Sequence, residues 1–155
     1  MVTAVQQQII NGVDANGWFA VNYVPGPTDP DERFTYTVGL TKTAGWPEII
    51  CFGLDSERSV GMLRDAIAEC WERRIRPADG VGLTKVIQGF LVGLKAVDDL
   101  AAPYFAMADW YADHTGTAKS EERLQLVWPD RNGRFPVDPN CDPIVRDKQT
   151  PKVSR

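Results

Sequence analysis

The chain has 155 residues, a mass of 17.2 kDa and a formal net charge of −4, with 43% hydrophobic and 25% charged residues. That length suits one domain with a sizeable core, and the composition is ordinary for a globular protein. A pI near 5.0 argues against a protein built to hold nucleic acid, because phosphate contacts need clustered Lys and Arg. The short run Arg73, Arg74, Arg76 reads as the solvated end of a helix, where cations offset exposed carbonyl dipoles. No window approaches the roughly 20 apolar residues of a membrane helix, and the N-terminus lacks the basic region of a signal peptide. Three cysteines (Cys51, Cys70, Cys141) form no C-x-x-C pair. Cys51 and Cys70 read as small core residues, so a reducing cytoplasm is expected.

In chain order, Val2 to about Asn11 reads as a short helix with Gly12 as its stop. WFAVNYV (Trp18–Val24) is β-branched and aromatic, which favours a strand. The segment PGPTDPDER (Pro25–Arg33) reads as a solvated loop, since its prolines cannot pair inside a sheet. FTYTVGL alternates, with Phe34, Tyr36, Val38 and Leu40 on one side and Thr35, Thr37 and Gly39 on the other. After a loop over Thr41–Pro47, EIICFGL (Glu48–Leu54) is nearly all apolar, as a strand covered on both faces would be. These three strands are expected to form a meander.

Asp55 or Ser56 caps the following helix, whose apolar stripe is Val60, Leu63, Ile67, Cys70 and Trp71, with Pro77 and Gly80 ending it. LTKVIQGFLVGLKAV (Leu83–Val97) supplies one or two more strands. A second helix runs from Asp98 or Asp99 to Tyr111, His114–Glu122 is a loop, and LQLVW is the last strand. DRNG (Asp130–Gly133) is a turn signal. From Pro139 onward Pro and charge dominate, so residues 139–155 are expected to be a disordered tail behind a single globular domain over 1–138. The expected fold is α+β: one mostly antiparallel sheet of five or six strands with two main helices packed on one of its faces.

At FTYTVGL, at WPEIICFGL (Trp46–Leu54) and at LQLVWPDRNGRFP (Leu124–Pro136), the chain resembles the bacterial and phage family called domain of unknown function 4262. Members of that family carry a Y-T-x-G-L strand, a P-E-[IL]-x-x-F-G-L strand and a closing L-Q-x-x-W-P-D-x-x-G-x-F-P-W-D segment. The resemblance spans roughly Ile10 to Asp138. The chain departs from it at Trp46, where many relatives carry His, and at Val137, where Trp is expected. The resemblance implies a family and a bacterial or phage setting, and no reaction.

Glu48 and Asp130 are the carboxylates inside these motifs. One starts a strand and the other ends one, so both can lie at one rim of the sheet. There they can bind a hydroxyl or a cation, or act as a general base. With Asp130, the neighbouring Arg131 and Arg134 are ligand-binding candidates; Asp130 can equally accept N–H bonds within its own turn, and Glu48 can pair with Arg131 or Arg134. Tyr36, Thr37 and Gly39 are the next ligand-binding candidates, since a glycine leaves room for a ligand; the plain alternative is a bulge with water-facing threonines. Trp128 can stack on a planar ligand or close the core. Metal is not expected: Asp109, Asp113 and His114 offer one His without a second His or Cys. The same lone His argues against a Ser–His–Asp triad, and DGVGLTK (Asp79–Lys85) lacks phosphate-loop spacing. No cofactor is specified.

The function expected is a non-catalytic module that binds a small ligand or a protein partner. A homodimer through an aromatic face is compatible with that. The alternative is an enzyme: a hydrolase using Glu48 and Asp130, or a flavin protein similar in element order to split-barrel reductases.

Overall fold

The computed structural model describes residues 1–24, 33–98, 102–120 and 122–151. The loop expected at Pro25–Arg33, the residues at Asp99 and the last four of the tail therefore lie largely or wholly outside the described residues.

Helix α1 (Ala4–Asn16) begins at a capping box, in which the Thr3 hydroxyl accepts from the Gln6 N–H and the Gln6 side chain from the Thr3 N–H. It runs through Gly12 and stops at Gly17, which takes the left-handed conformation. Gly12 is instead where the next strand passes closely, since a Cβ there would lie 2.3 Å from the Phe19 ring.

Strands β1 (Phe19–Tyr23), β2 (Phe34–Val38), β3 (Ile49–Phe52), β4 (Gly82–Ile87), β5 (Phe90–Ala96) and β6 (Leu124–Val127) form one open sheet in the order β1-β2-β3-β6-β5-β4. The expected meander of the first three strands is present, as is a β4–β5 hairpin. β6 is the last strand in sequence yet lies at the centre, antiparallel to β5 and parallel to β3, with Ile49 opposite Leu124.

Helices cover both faces of the sheet, not one. Helix α3 (Ser56–Arg73) packs Leu63, Ala66 and Cys70 against Ile49, Cys51, Leu124 and Leu126. On the opposite face α1, a 3-10 turn (Ala102–Phe105) and α4 (Ala106–Thr115) bring Ile9, Val13, Phe105 and Tyr111 onto Phe34, Tyr36 and Val38. The physical reason is visible in the strands: every residue of β2, β3 and β6 is buried, so each needs a partner layer on both sides. Each fully buried Leu, Ile or Phe contributes about 1.5–3 kcal/mol. Phe34 meets Tyr104 edge-on at 4.8 Å and Phe52 at 5.8 Å, an aromatic seam under the 3-10 turn.

Asp55 caps α3 as expected, accepting from the Arg58 N–H. Of the expected stripe, Leu63 and Cys70 are buried and Ile67 packs against the core, while Trp71 is 68% exposed; Ser59, Met62, Ala66 and Glu69 complete the buried face. The helix stops at Arg74, whose φ of 55° is the left-handed cap, three residues before Pro77. His114 and Thr115 belong to the last turn of α4, and the segment after β2 holds a short helix α2 (Leu40–Ala44) where a loop was expected.

The C-terminal segment holds one more helix among the described residues. Helix α5 (Pro143–Lys148) leads to Gln149, which is 3% exposed. Its side-chain oxygen accepts from the Trp128 N–H, and its side-chain nitrogen donates to the Trp128 carbonyl. Gln125 donates to the Gln149 carbonyl.

Candidate functional site

Glu48 sits one residue before β3 and is 5% exposed. Its carboxylate accepts from the Thr37 hydroxyl at 2.7 Å and from the N–H groups of Gly39, Leu40 and Thr41 at 3.2 Å each. Gly39 caps α2 with φ 102°, and a Cβ there would lie 2.7 Å from Val13 Cγ2. The glycine is thus required by both backbone conformation and packing. The Thr37 hydroxyl in turn accepts from the Ile49 N–H at 2.9 Å. A helix N-terminus has free N–H donors, and here an internal carboxylate takes them. Burial raises the Glu48 pKa, offset in part by the Thr37 hydroxyl and the three N–H groups. Four donors occupy its four acceptor positions. The space beside it, bordered by Thr41, Tyr111 and Arg123, is ≈ 10 Å³, room for one water at most.

Asp130 is built the same way. Its oxygens accept from the N–H groups of Asn132, Arg134 and Asp142, all at 2.9 Å. These N–H groups, Arg134 and Asp142 foremost, hold its carboxyl below the usual range against the opposing effect of burial. The Gly133 N–H closes the turn on the Asp130 carbonyl at 3.0 Å, with Gly133 at φ 77°. Arg146 then ties the segment from the other side, donating to the carbonyls of Pro136 and Asp138.

Thr37, Gly39 and Glu48 therefore come together, as do Asp130 and the Arg134 backbone, but the two groups do not meet. β3 and β6 run parallel, Glu48 precedes one and Asp130 follows the other, so they stand at opposite rims. Six residues separate Leu124, level with Ile49, from Asp130, which corresponds to roughly 20 Å. Paired carboxylates that share a substrate lie about 5–9.5 Å apart. The expectation of one rim assumed antiparallel strands.

Tyr36 points to the α4 face, where its hydroxyl accepts from the Met107 N–H at 3.0 Å and burial raises its pKa. Trp128 closes the core under α3, with its indole N–H donating to the Phe52 carbonyl at 3.1 Å. The Arg131 and Arg134 side chains are exposed, and neither reaches Glu48. Thr35 and Thr37 are buried, so neither faces water.

Other chemistry-bearing groups are equally committed. Burial pushes the Cys51 thiol up to about 12, which leaves no thiolate at neutral pH. His114 stacks on Trp110 at 4.9 Å. Among the described residues no three His, Cys, Asp or Glu side chains lie close enough to share a metal ion. Among the described residues the sheet is open, with β1 and β4 as its edge strands.

Two features escaped the sequence reading. Glu69, 2% exposed, accepts from the N–H groups of Thr84 and Lys85 and from Arg73, and so joins α3 to the irregular pairing of β4. Its place on the inward stripe of α3, at i+3 from Ala66, was the available signal. The second is a groove of ≈ 480 Å³ lined by Trp46, Trp71, Arg74, Ile75 and Arg76, where α3 ends beside α2. Two indoles tilt at 57° with centroids 5.7 Å apart, and Arg76 donates to the Gly45 carbonyl at 3.2 Å. The guanidinium of Arg74 has no hydrogen-bond or ion-pair partner among the described residues. A further hollow of ≈ 450 Å³ lies over Trp128, lined by Leu54, Met62 and Ile87 with Arg58 and Asp65 at its edge.

No curated protein and no solved structure matches the chain. Residues 12–142 match the family described as domain of unknown function (DUF4262), over the elements that hold both carboxylate locks. With most of its length inside that match, the chain belongs to the DUF4262 family.

Proposed function

We propose that the protein is a non-catalytic binding module whose ligand site is the groove of Trp46, Trp71, Arg74, Ile75 and Arg76. The observation that carries this is a contrast in commitment. Glu48 and Asp130, the two carboxylates of the family motifs, spend their acceptor capacity on the protein's own N–H groups. The groove instead presents a 68% exposed indole and a guanidinium with no partner among the described residues. Trp and Arg are the side chains that most often anchor binding, and ≈ 480 Å³ lies within the range of small-molecule sites. Three free, buried cysteines suit a reducing compartment, so we place the protein in the cytoplasm.

The test is a thermal-shift screen against a metabolite and nucleotide panel, with each hit mapped by the indole N–H resonances of the five tryptophans. A ligand that stabilises the protein, moves the Trp71 signal and is recovered unchanged supports the proposal. A ligand returned chemically altered, or hits that leave Trp46 and Trp71 unmoved, would overturn it.

A further inference from the structure

The chemistry of the groove narrows what it can hold, given that it is the binding site. We infer that it takes a small planar anion: an aromatic or heteroaromatic ring bearing one carboxylate or phosphate.

The planar part follows from the tryptophans. Trp71 stands in the last turn of α3, turned away from the sheet, and Trp46 is partly buried against the core. Their tilt leaves the exposed indole of Trp71 beside the groove instead of stacking it flat on Trp46. An indole face gains most from another π-face, in offset or edge contact.

The anionic part follows from the two arginines and from the absence of any acid in the lining. Arg76 is held in place, donating to the Gly45 carbonyl and lying 4.0 Å from Glu122. Arg73, the neighbouring cation, is taken up by Glu69 and the Gly82 carbonyl. Arg74 remains, displayed by the one left-handed non-glycine residue among those described. A planar guanidinium matches carboxylate and phosphate oxygens in a fork. In a protein of net charge −4, this locally positive spot, where Glu122 lies beside Arg76 and no ion-pair partner lies beside Arg74 among the described residues, selects against cations and steers anions. The volume admits one or two fused rings.

The experiment titrates the full chain with naphthoate, naphthamide and cyclohexanecarboxylate, and follows the indole signals of Trp46 and Trp71 in a proton–nitrogen correlation spectrum. Single Trp→Phe variants assign those signals. Naphthoate should move both signals saturably and bind about tenfold or more tightly than either control, weakening as salt rises. Arg74→Gln should bring naphthoate down to the affinity of naphthamide while the remaining resonances stay in place. If naphthamide binds as well as naphthoate, or Arg74→Gln changes nothing, the anion assignment falls and the groove remains a site. If cyclohexanecarboxylate matches naphthoate, the planar requirement falls. If no probe and no panel hit moves either indole, the binding-module proposal itself fails.

Discussion

Glu48→Ala removes the acceptor of four donors in one step. The Thr37 hydroxyl and the Gly39 and Leu40 N–H groups are buried, while the Thr41 N–H is only part-buried and can reach water. Leaving a buried donor unpaired costs about 1–3 kcal/mol. The low end of that range for three donors gives a loss of about 3 kcal/mol, a large share of the roughly 5–15 kcal/mol that holds a typical domain together. Glu48→Gln retains one carbonyl oxygen but turns an NH₂ toward N–H donors, and should cost less, about 1–2 kcal/mol. Urea denaturation followed by Trp fluorescence measures both, with an unchanged slope confirming that the unfolded states compare. An Ala variant within about 0.5 kcal/mol of the wild type would refute the reasoning. It would mean that the carboxylate does not hold the start of α2.

Gly39→Ala should cost about 2–3 kcal/mol, from positive φ and from the 2.7 Å approach to Val13. A double-mutant cycle with Val13→Ala should show coupling of about 1 kcal/mol; strict additivity would say the contact is absent. Gln149→Ala strands the N–H and carbonyl of Trp128 and should cost about 2 kcal/mol, lowering Tm by about 4–8 °C in calorimetry. An unchanged Tm would mean that the C-terminal segment is not docked. Stability should also depend on acid through three carboxyls. The N–H groups of Arg134 and Asp142 lower Asp130; burial raises Glu69, but the N–H groups of Lys85 and Thr84 with Arg73 outweigh it and its pKa ends low. A depressed carboxyl contributes stability that is present above its unfolded pKa near ~4 and is lost as pH falls through the folded value. Asp130→Asn and Glu69→Gln should therefore flatten the decline below about pH 4. The raised Glu48 acts with opposite sign: its contribution is present below the ordinary glutamate pKa and fades as pH rises through the folded one, so Glu48→Gln should flatten a decline above about pH 4. Unfolding curves at several pH values check all three, and parallel wild-type and variant profiles would contradict the assigned directions.

Local chemistry was legible in the chain itself. The alternation of FTYTV, the apolar run of IICF, the Asp55 cap and the Asp130 turn each depend on residues within a few positions of one another, and each is present. The family was legible too, in motifs whose Thr37, Gly39 and Glu48 prove to be one hydrogen-bonded lock. What tertiary structure alone decided was which distant elements meet. Setting β6 parallel to β3 depends on a crossover of some seventy residues, and no local pattern encodes it. That single pairing sends Glu48 and Asp130 to opposite rims and dissolves the two-carboxylate site. Trp71 faces out although the adjacent Cys70 faces the sheet, because neighbouring helix positions differ by about 100°. The docking of Gln149 onto Trp128 joins residues 21 apart whose side chains carry no periodic signal. Sequence thus determined the elements and the family, and the packing of those elements decided that the motif carboxylates face inward while a groove of tryptophan and arginine faces out.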